Sequence, residues 1–123
     1  PEMKETIQKA FDIITVEIMS SEIIMTKDQK GHRVLLERLL KKYSFIEAAW
    51  TNDTKGRFIV SVPDAGIANA GAREWFRKSI AGESYASAVY ISAITKNPCI
   101  AVSQPIKDNG IITGVAGLDI RMV

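Results

Sequence analysis

Apolar residues recur at alternating spacings of four and three over the first 25 residues, which predicts one stripe of a helix running through most of Lys4–Met25. The positions are Ile7, Phe11, Ile14 and Ile18. Such a stripe can pack on the rest of the domain, and this is the first interpretation. A heptad-like seam can also pair with its twin, so a parallel homodimer through the stripe or its neighbours is a second hypothesis.

A second helix is predicted to follow Asp28, whose carboxylate can cap a helix start. Its apolar face comprises Leu35, Leu36, Leu39, Leu40 and Tyr43. Two lysines at positions 41 and 42 would meet the negative end of the helix dipole. Residues 1–43 are therefore predicted to be helical.

From residue 44 onward the pattern changes to short strands separated by turns. The predicted strands are Phe45–Thr51, Arg57–Val62, Tyr85–Thr95, Cys99–Gln104 and Ile111–Ile120. The Asn109-Gly110 pair is a strong hairpin signal. Between the second and third strands lie a loop at 63–71 and a short helix at Arg73–Ala81, which Gly82 ends.

This order of elements predicts an α+β fold with a five-stranded antiparallel sheet. The two helices of the first 43 residues would cover one sheet face, and the loop with the short helix would cross the other. A loop and helix that cross a curved sheet enclose a concavity, where small ligands are usually held. We expect residues 1–123 to form one domain.

The composition excludes several classes of protein. The chain is 46% hydrophobic and 24% charged, which is typical of a globular domain, and its net charge is only +2 with both signs interleaved. Neither a nucleic-acid surface nor a polybasic membrane patch is indicated. No apolar run approaches the roughly 18 residues of a membrane span. The chain starts at Pro1, so we expect a segment of a longer protein, with any membrane anchor outside it.

The sequence offers little that could perform catalysis. Its one histidine, His32, stands between charged residues, which predicts a solvated surface position. Its one cysteine, Cys99, lies in an apolar run, which predicts a small buried residue. Without a phosphate loop, a metal-spaced cluster or a nucleophile motif, the chain is predicted not to be an enzyme. No metal, haem, flavin or other cofactor is expected.

Several motifs in the second half resemble the Cache family of extracytoplasmic sensor domains. They are Arg73-Glu-Trp75-Phe76, Ser103-Gln-Pro105-Ile106 and Gly114-Val-Ala-Gly117-Leu-Asp119. Each motif is weak alone, but their order and spacing together are specific. The resemblance implies a PAS-like sheet with a long N-terminal helix. It also implies a role in a bacterial or archaeal transmembrane receptor, a chemotaxis transducer or a histidine kinase, at the extracytoplasmic face of the cell membrane.

In Cache domains that bind amino acids, the Arg and Trp of the first motif hold the ligand carboxylate, and a later Tyr and the final Asp hold the ammonium. The resemblance assigns these roles to Arg73, Trp75, Tyr90 and Asp119. A guanidinium grips a carboxylate bidentately, and a fixed carboxylate complements an ammonium. The chain departs from the amino-acid motif at residues 67–70 and at Phe76, so simple carboxylates and amines belong to the expected ligand class.

A structural role is the alternative for each of these residues. Arg73 could be a surface residue, Trp75 could belong to the core, and Tyr90 could serve strand packing. Asp119 is more informative because it interrupts an apolar strand, although it could also face solvent at the end of that strand. The corresponding alternative function is a ligand-free structural or dimerisation module. It predicts a collapsed pocket in which Arg73 and Asp119 are paired with protein groups.

Overall fold

A computed structural model describes residues 2–92 and 95–122. In chain order the elements are α1 (Glu2–Ile13), a π-helical turn (Ile14–Ile18), a 3-10 helix (Glu22–Met25), α2 (Gln29–Lys42), β1 (Ile46–Asp53), β2 (Phe58–Val62), α3 (Glu74–Ile80), β3 (Tyr85–Ala86), β4 (Tyr90–Ile91), β5 (Pro98–Asp108) and β6 (Ile111–Arg121). The predicted α+β class is confirmed.

The predicted single helix over Lys4–Met25 is wrong in its second half. Regular α-helix ends at Ile13, and a π-helical turn follows, in which the N–H of Met19 donates to the Ile14 carbonyl. The hydroxyl of Ser20 then bonds back to a carbonyl of the preceding turn. Such side-chain bonds compete with the helical ladder and favour a bend. The chain leaves the helix at Ser21, whose backbone is extended.

The stripe on this segment packs against the sheet. Ile14 and Ile18 are fully buried, and Ile7 and Phe11 are half-buried against the same core. Helix α2 lies beside them and begins as predicted, because the Asp28 carboxylate accepts from the N–H of Lys30 at 3.1 Å.

The predicted solvated surface position of His32 is wrong, because this residue of α2 is fully buried. Nδ1 lies 2.8 Å from the Thr51 hydroxyl and Nε2 lies 2.8 Å from the Thr26 carbonyl. A carbonyl can only accept, so Nε2 carries a proton, and in the neutral ring Nδ1 accepts from Thr51. Two satisfied hydrogen bonds allow this polar ring to be buried, and the one to Thr51 ties α2 to β1.

The sheet is antiparallel, as predicted, with the strand order β2-β1-β6-β5-β3, and β4 also pairs with β5. Six strands are described where five were predicted, because the predicted Tyr85–Thr95 strand is divided. The hydroxyl of Ser87 accepts a hydrogen bond from the N–H of Ala101, and the regular pairing of β3 with β5 ends at Ala86. Ala93 and Ile94 of the predicted strand lie outside the described residues. The predicted Asn109-Gly110 hairpin is confirmed, with positive φ at both residues.

Alternation along the strands divides the side chains between two faces. One face packs on α1 and α2 and forms the main core, to which β6 contributes Leu118 and Ile120. The opposite face carries a smaller cluster around Phe76 and Val115, beneath α3. The remaining part of that second face is the floor of the pocket described next.

Candidate functional site

A cavity of about 610 Å³ lies between the loop with α3 on one side and the sheet on the other. Its volume falls in the range of small-molecule sites, which is about 300–1,000 Å³. It is lined by Ala48, Trp50, Phe58, Ser61, Pro63, Ala65, Ile67, Arg73, Trp75, Ser87, Ala88, Val89, Tyr90, Ile91, Ser92, Ala101 and Asp119. The wall is therefore mainly apolar and aromatic, with a few polar and charged groups.

The floor is set by the register of three neighbouring strands. Asp119 on β6 is paired with Ala48 on β1 and with Ala101 on β5. Paired residues of adjacent strands point to the same face, so these three side chains form one row across the sheet. The carboxylate thus stands between two methyl groups.

The next row contains Trp50 on β1, Gly117 on β6 and Ser103 on β5. A Cβ on Gly117 would lie 2.5 Å from Nε1 of Trp50, so the glycine makes room for the indole. At Gly114 on the same strand the approaching group is instead the backbone of Asn52, whose carbonyl oxygen would lie 2.2 Å from a Cβ.

Trp50 is a wall residue that the sequence prediction missed. Its ring centroid lies 5.0 Å from that of Trp75, and Phe58 lies 6.2 Å from Trp75 on another side. A large aromatic residue that alternates with Ala48 was a detectable signal. Recognising it required the pairing of Trp50 with Gly117, which is a tertiary relationship.

Asp119 and Tyr90 are joined at the base of the pocket, where the tyrosine hydroxyl donates a hydrogen bond to the carboxylate. Burial raises the pKa of Asp119, the hydrogen bond from Tyr90 opposes this rise, and the negative charge of Glu47 adds to it. Burial and the neighbouring Asp119 also hold the pKa of Tyr90 far above its ordinary value, so Tyr90 remains a donor. The result is a half-buried acid without a cationic partner among the described residues.

Glu47 itself is held by other groups. The amide Nδ2 of Asn97 donates to its carboxylate at 2.7 Å, and the Arg121 guanidinium lies 3.9 Å away. Cys99, which pairs with Tyr90 across β4 and β5, is buried as predicted. Burial first, and then the charges of Asp119 and Glu47, raise the pKa of its thiol to about 11, which keeps it protonated.

Arg73 and Trp75 reach the opposite wall from the start of α3. Arg73 is the residue that precedes the first turn, and its exposed guanidinium forms no ion pair with any of the described residues. Trp75 is half-buried, and its carbonyl accepts from the Ser103 hydroxyl at 2.9 Å, which anchors α3 to the floor. Phe76 is buried in the cluster beneath α3.

All four residues assigned by the resemblance thus line one cavity, with a cation on the α3 wall and an acid on the sheet floor. That they bind a ligand stays a prediction. Among residues 2–92 and 95–122 the structure holds no cluster of three or more His, Cys, Asp or Glu that could bind a metal. No helix in the same ranges has the length and apolar character needed to cross a bilayer.

A family model described as "Methyl-accepting chemotaxis protein-like, first PDC sensor domain" matches residues 17–123. Among curated proteins, a citrate (Re)-synthase of Syntrophus aciditrophicus is 30% identical over 118 residues. That match covers 85% of this chain but only 19% of the relative, so the synthase activity of the relative is not transferred to this chain.

Solved structures show the same fold. The ligand-binding domain of the Pseudomonas fluorescens chemoreceptor CtaA in complex with L-valine has a TM-score of 0.67 at 23% identity, over 93% of this chain and 53% of that one. The ligand-binding domain of the Pseudomonas aeruginosa amino acid chemoreceptor PctC in complex with GABA has a TM-score of 0.72 at 19% identity, over 96% of this chain and 56% of that one. The sensor domain of the Vibrio cholerae histidine kinase DctB has a TM-score of 0.71 at 15% identity, over 98% of this chain and 49% of that one. The chain spans about half the length of these neighbours.

Proposed function

Because this chain belongs to the family of methyl-accepting chemotaxis protein-like first PDC sensor domains, the group that the Cache resemblance predicted, we propose that it binds a small zwitterion between Arg73 and Asp119. In this arrangement the ligand carboxylate meets Arg73 and Trp75, and its ammonium meets Asp119 and Tyr90. Amino acids are the leading ligand class, and simple carboxylates or amines would use one half of the site.

One observation carries this proposal: the two charged groups stand on different walls of one open cavity, and neither has a protein partner of opposite charge among the described residues. A half-buried carboxylate without a cation is costly in a structural element. The same acid is useful in a site that receives an ammonium from outside. The chemoreceptor neighbours crystallised with L-valine and GABA add support, since both compounds carry a carboxylate and an ammonium.

The ligand-free alternative predicted a collapsed pocket with its charges paired internally. The open cavity of about 610 Å³ and the unpaired guanidinium of Arg73 count against that alternative. The hydrogen bond between Tyr90 and Asp119 is the one feature that it explains equally well, because this bond satisfies the acid in part without a ligand.

The wider setting forms part of the proposal. We place residues 1–123 at the extracytoplasmic face of a membrane receptor, as one sensor unit with helical residues 1–43 and sheet residues 44–123. The unit does not transform its ligand. Its receptor is a chemotaxis transducer or a histidine kinase, in line with the CtaA, PctC and DctB neighbours.

We also propose that the full receptor is a homodimer through the N-terminal helix. The predicted stripe is occupied by the core, so the contact must use its neighbours on the outer side. Val16, which is 65% exposed, is the most exposed apolar residue of this segment.

A thermal-shift screen of the purified domain against amino acids, organic acids and amines tests the proposal. A ligand that binds only the native state raises the melting temperature by mass action. We expect the largest shifts from compounds that carry both charges, and smaller shifts from those with one. A screen in which no compound stabilises the domain would contradict ligand binding, and the ligand-free module would then explain the fold better.

A further inference from the structure

We propose that the Asp119 end of this site prefers an N-methylated ammonium to a primary one. The inference rests on the proposed function and narrows its ligand class. It follows from the small and aromatic residues that surround the acid on the sheet floor.

The first argument is the identity of the neighbours in the row. Ala48 and Ala101 flank Asp119 directly, and both line the cavity. Each presents a methyl group beside the carboxylate, where a longer polar side chain could have supplied a second acceptor. The row therefore offers room for alkyl groups but only one side chain that accepts hydrogen bonds.

The second argument concerns hydrogen-bond satisfaction. A primary ammonium has three N–H donors, and each buried donor without an acceptor is costly. The methyl groups of Ala48 and Ala101, which flank Asp119 in the row, add no acceptor for these donors. Exchanging N–H for N–CH₃ on the side of the ligand that faces these alanines replaces a donor without an acceptor there by a methyl group that can pack on them, and the positive charge that Asp119 attracts is retained.

The third argument is the aromatic surface beside the row. Gly117 holds the indole of Trp50 over β6, two residues before Asp119 along the same strand. The ring of Tyr90 approaches from the other side, since its hydroxyl reaches the carboxylate. Methyl groups of an alkylated ammonium carry part of the positive charge, and aromatic faces attract such groups.

The test is a calorimetric titration of the domain with L-alanine, N-methyl-L-alanine and N,N,N-trimethyl-L-alanine. We expect at least one methylated form to bind more tightly than L-alanine, by about tenfold. A higher affinity for L-alanine than for both methylated forms would overturn the inference and leave the proposed function standing. If none of the three compounds binds, the inference is contradicted as well. The proposed function is contradicted only if the thermal-shift screen also finds no compound that stabilises the domain.

The variant Ala101→Val tests the same inference by narrowing the space beside Asp119. Valine is well tolerated in a strand, and its added methyl groups enter the cavity. We expect it to weaken binding of the tightest methylated form about tenfold more than binding of L-alanine. Ala68→Val, at an exposed position outside the cavity lining, is the control and should change neither affinity. Equal losses for methylated and primary forms would overturn the inference. Ala48→Val gives the same test from the other side of Asp119, should the first variant fold poorly.

Discussion

The indole of Trp50 occupies the space that a side chain on Gly117 would fill. A Cβ at position 117 would lie 2.5 Å from both Nε1 and Cζ2 of the ring, which is closer than real Cβ atoms approach their neighbours. The two residues are paired across β1 and β6. One glycine in the last strand therefore decides how the largest ring of the floor lies and how deep the pocket is.

Gly117→Ala should therefore destabilise the domain by about 1–3 kcal/mol, as expected for overpacking, and should weaken ligand binding because the indole must shift. Urea unfolding monitored by circular dichroism measures the first effect. Trp50→Phe in the same chain should recover part of the loss, since a smaller ring relieves the clash. Strictly additive losses in the two variants would show that the contact between these residues is not the cause.

Much of the fold could be predicted because its signals are local. The Asp28 cap, the leucine face of α2 and the Asn109-Gly110 turn each depend on residues close in sequence, and the structure contains all three. The break after Ile18 was missed because the apolar stripe continues past it to Met25. The hydroxyl of Ser20 donates to a backbone carbonyl of the preceding turn, which favours the break, and periodicity does not detect such a bond.

The site could be predicted only in part. Its charged residues came from a resemblance in motifs, whereas its floor depends on strand register. Ala48, Ala101 and Trp50 have no chemical signature of their own, and they become part of a site only because β1, β5 and β6 are neighbours. The burial of His32 was likewise hidden, since its partners Thr26 and Thr51 are supplied by separate elements.

The ligand-free domain should gain stability at neutral pH when Asp119 is replaced by Asn. The folded-state pKa of Asp119 is raised, so its stabilising contribution is fully present below the unfolded-state pKa and is lost as pH rises through the folded-state value. Asparagine carries no charge and still accepts from Tyr90. Melting temperatures should be measured from about pH 4, near the ordinary pKa of an aspartate side chain, up to about pH 8. They should show the variant above wild type at high pH, with the gap closing at low pH. A variant less stable than wild type at neutral pH would contradict the assignment.

Tyr90→Phe should move the pH dependence of ligand binding upward. The ammonium requires ionised Asp119, so affinity falls as pH drops through the pKa of that acid. The hydrogen bond from Tyr90 lowers this pKa, and removing it lets the pKa rise further. Titrations at several pH values should show affinity declining from a higher pH in the variant. Tyr85→Phe, which removes a hydroxyl bonded to Glu74 outside the cavity, should leave the profile unchanged.

Cysteine crosslinking in the membrane-embedded full receptor tests the dimer. Val16→Cys should crosslink between copies because Val16 is 65% exposed, whereas Ile14→Cys should not because Ile14 is fully buried. The native Cys99 is buried and does not compete. Crosslinking at position 14 but not at position 16 would place the stripe itself in the interface and contradict this packing.

The most direct test of the central claim is isothermal titration of wild type, Arg73→Ala and Asp119→Ala with the best zwitterion from the screen. Arg77→Ala and Asp108→Ala are matched controls, since both residues are exposed and lie outside the cavity. Asp119→Ala should lose about 2–5 kcal/mol of binding free energy, because the ligand ammonium is left unpaired at a half-buried position. Arg73→Ala should also weaken binding, but by less, because Arg73 is exposed and water screens its charge. The controls should bind like wild type, and circular dichroism should be unchanged throughout. Equal affinity in all five proteins would contradict the account and make Arg73 and Asp119 structural residues.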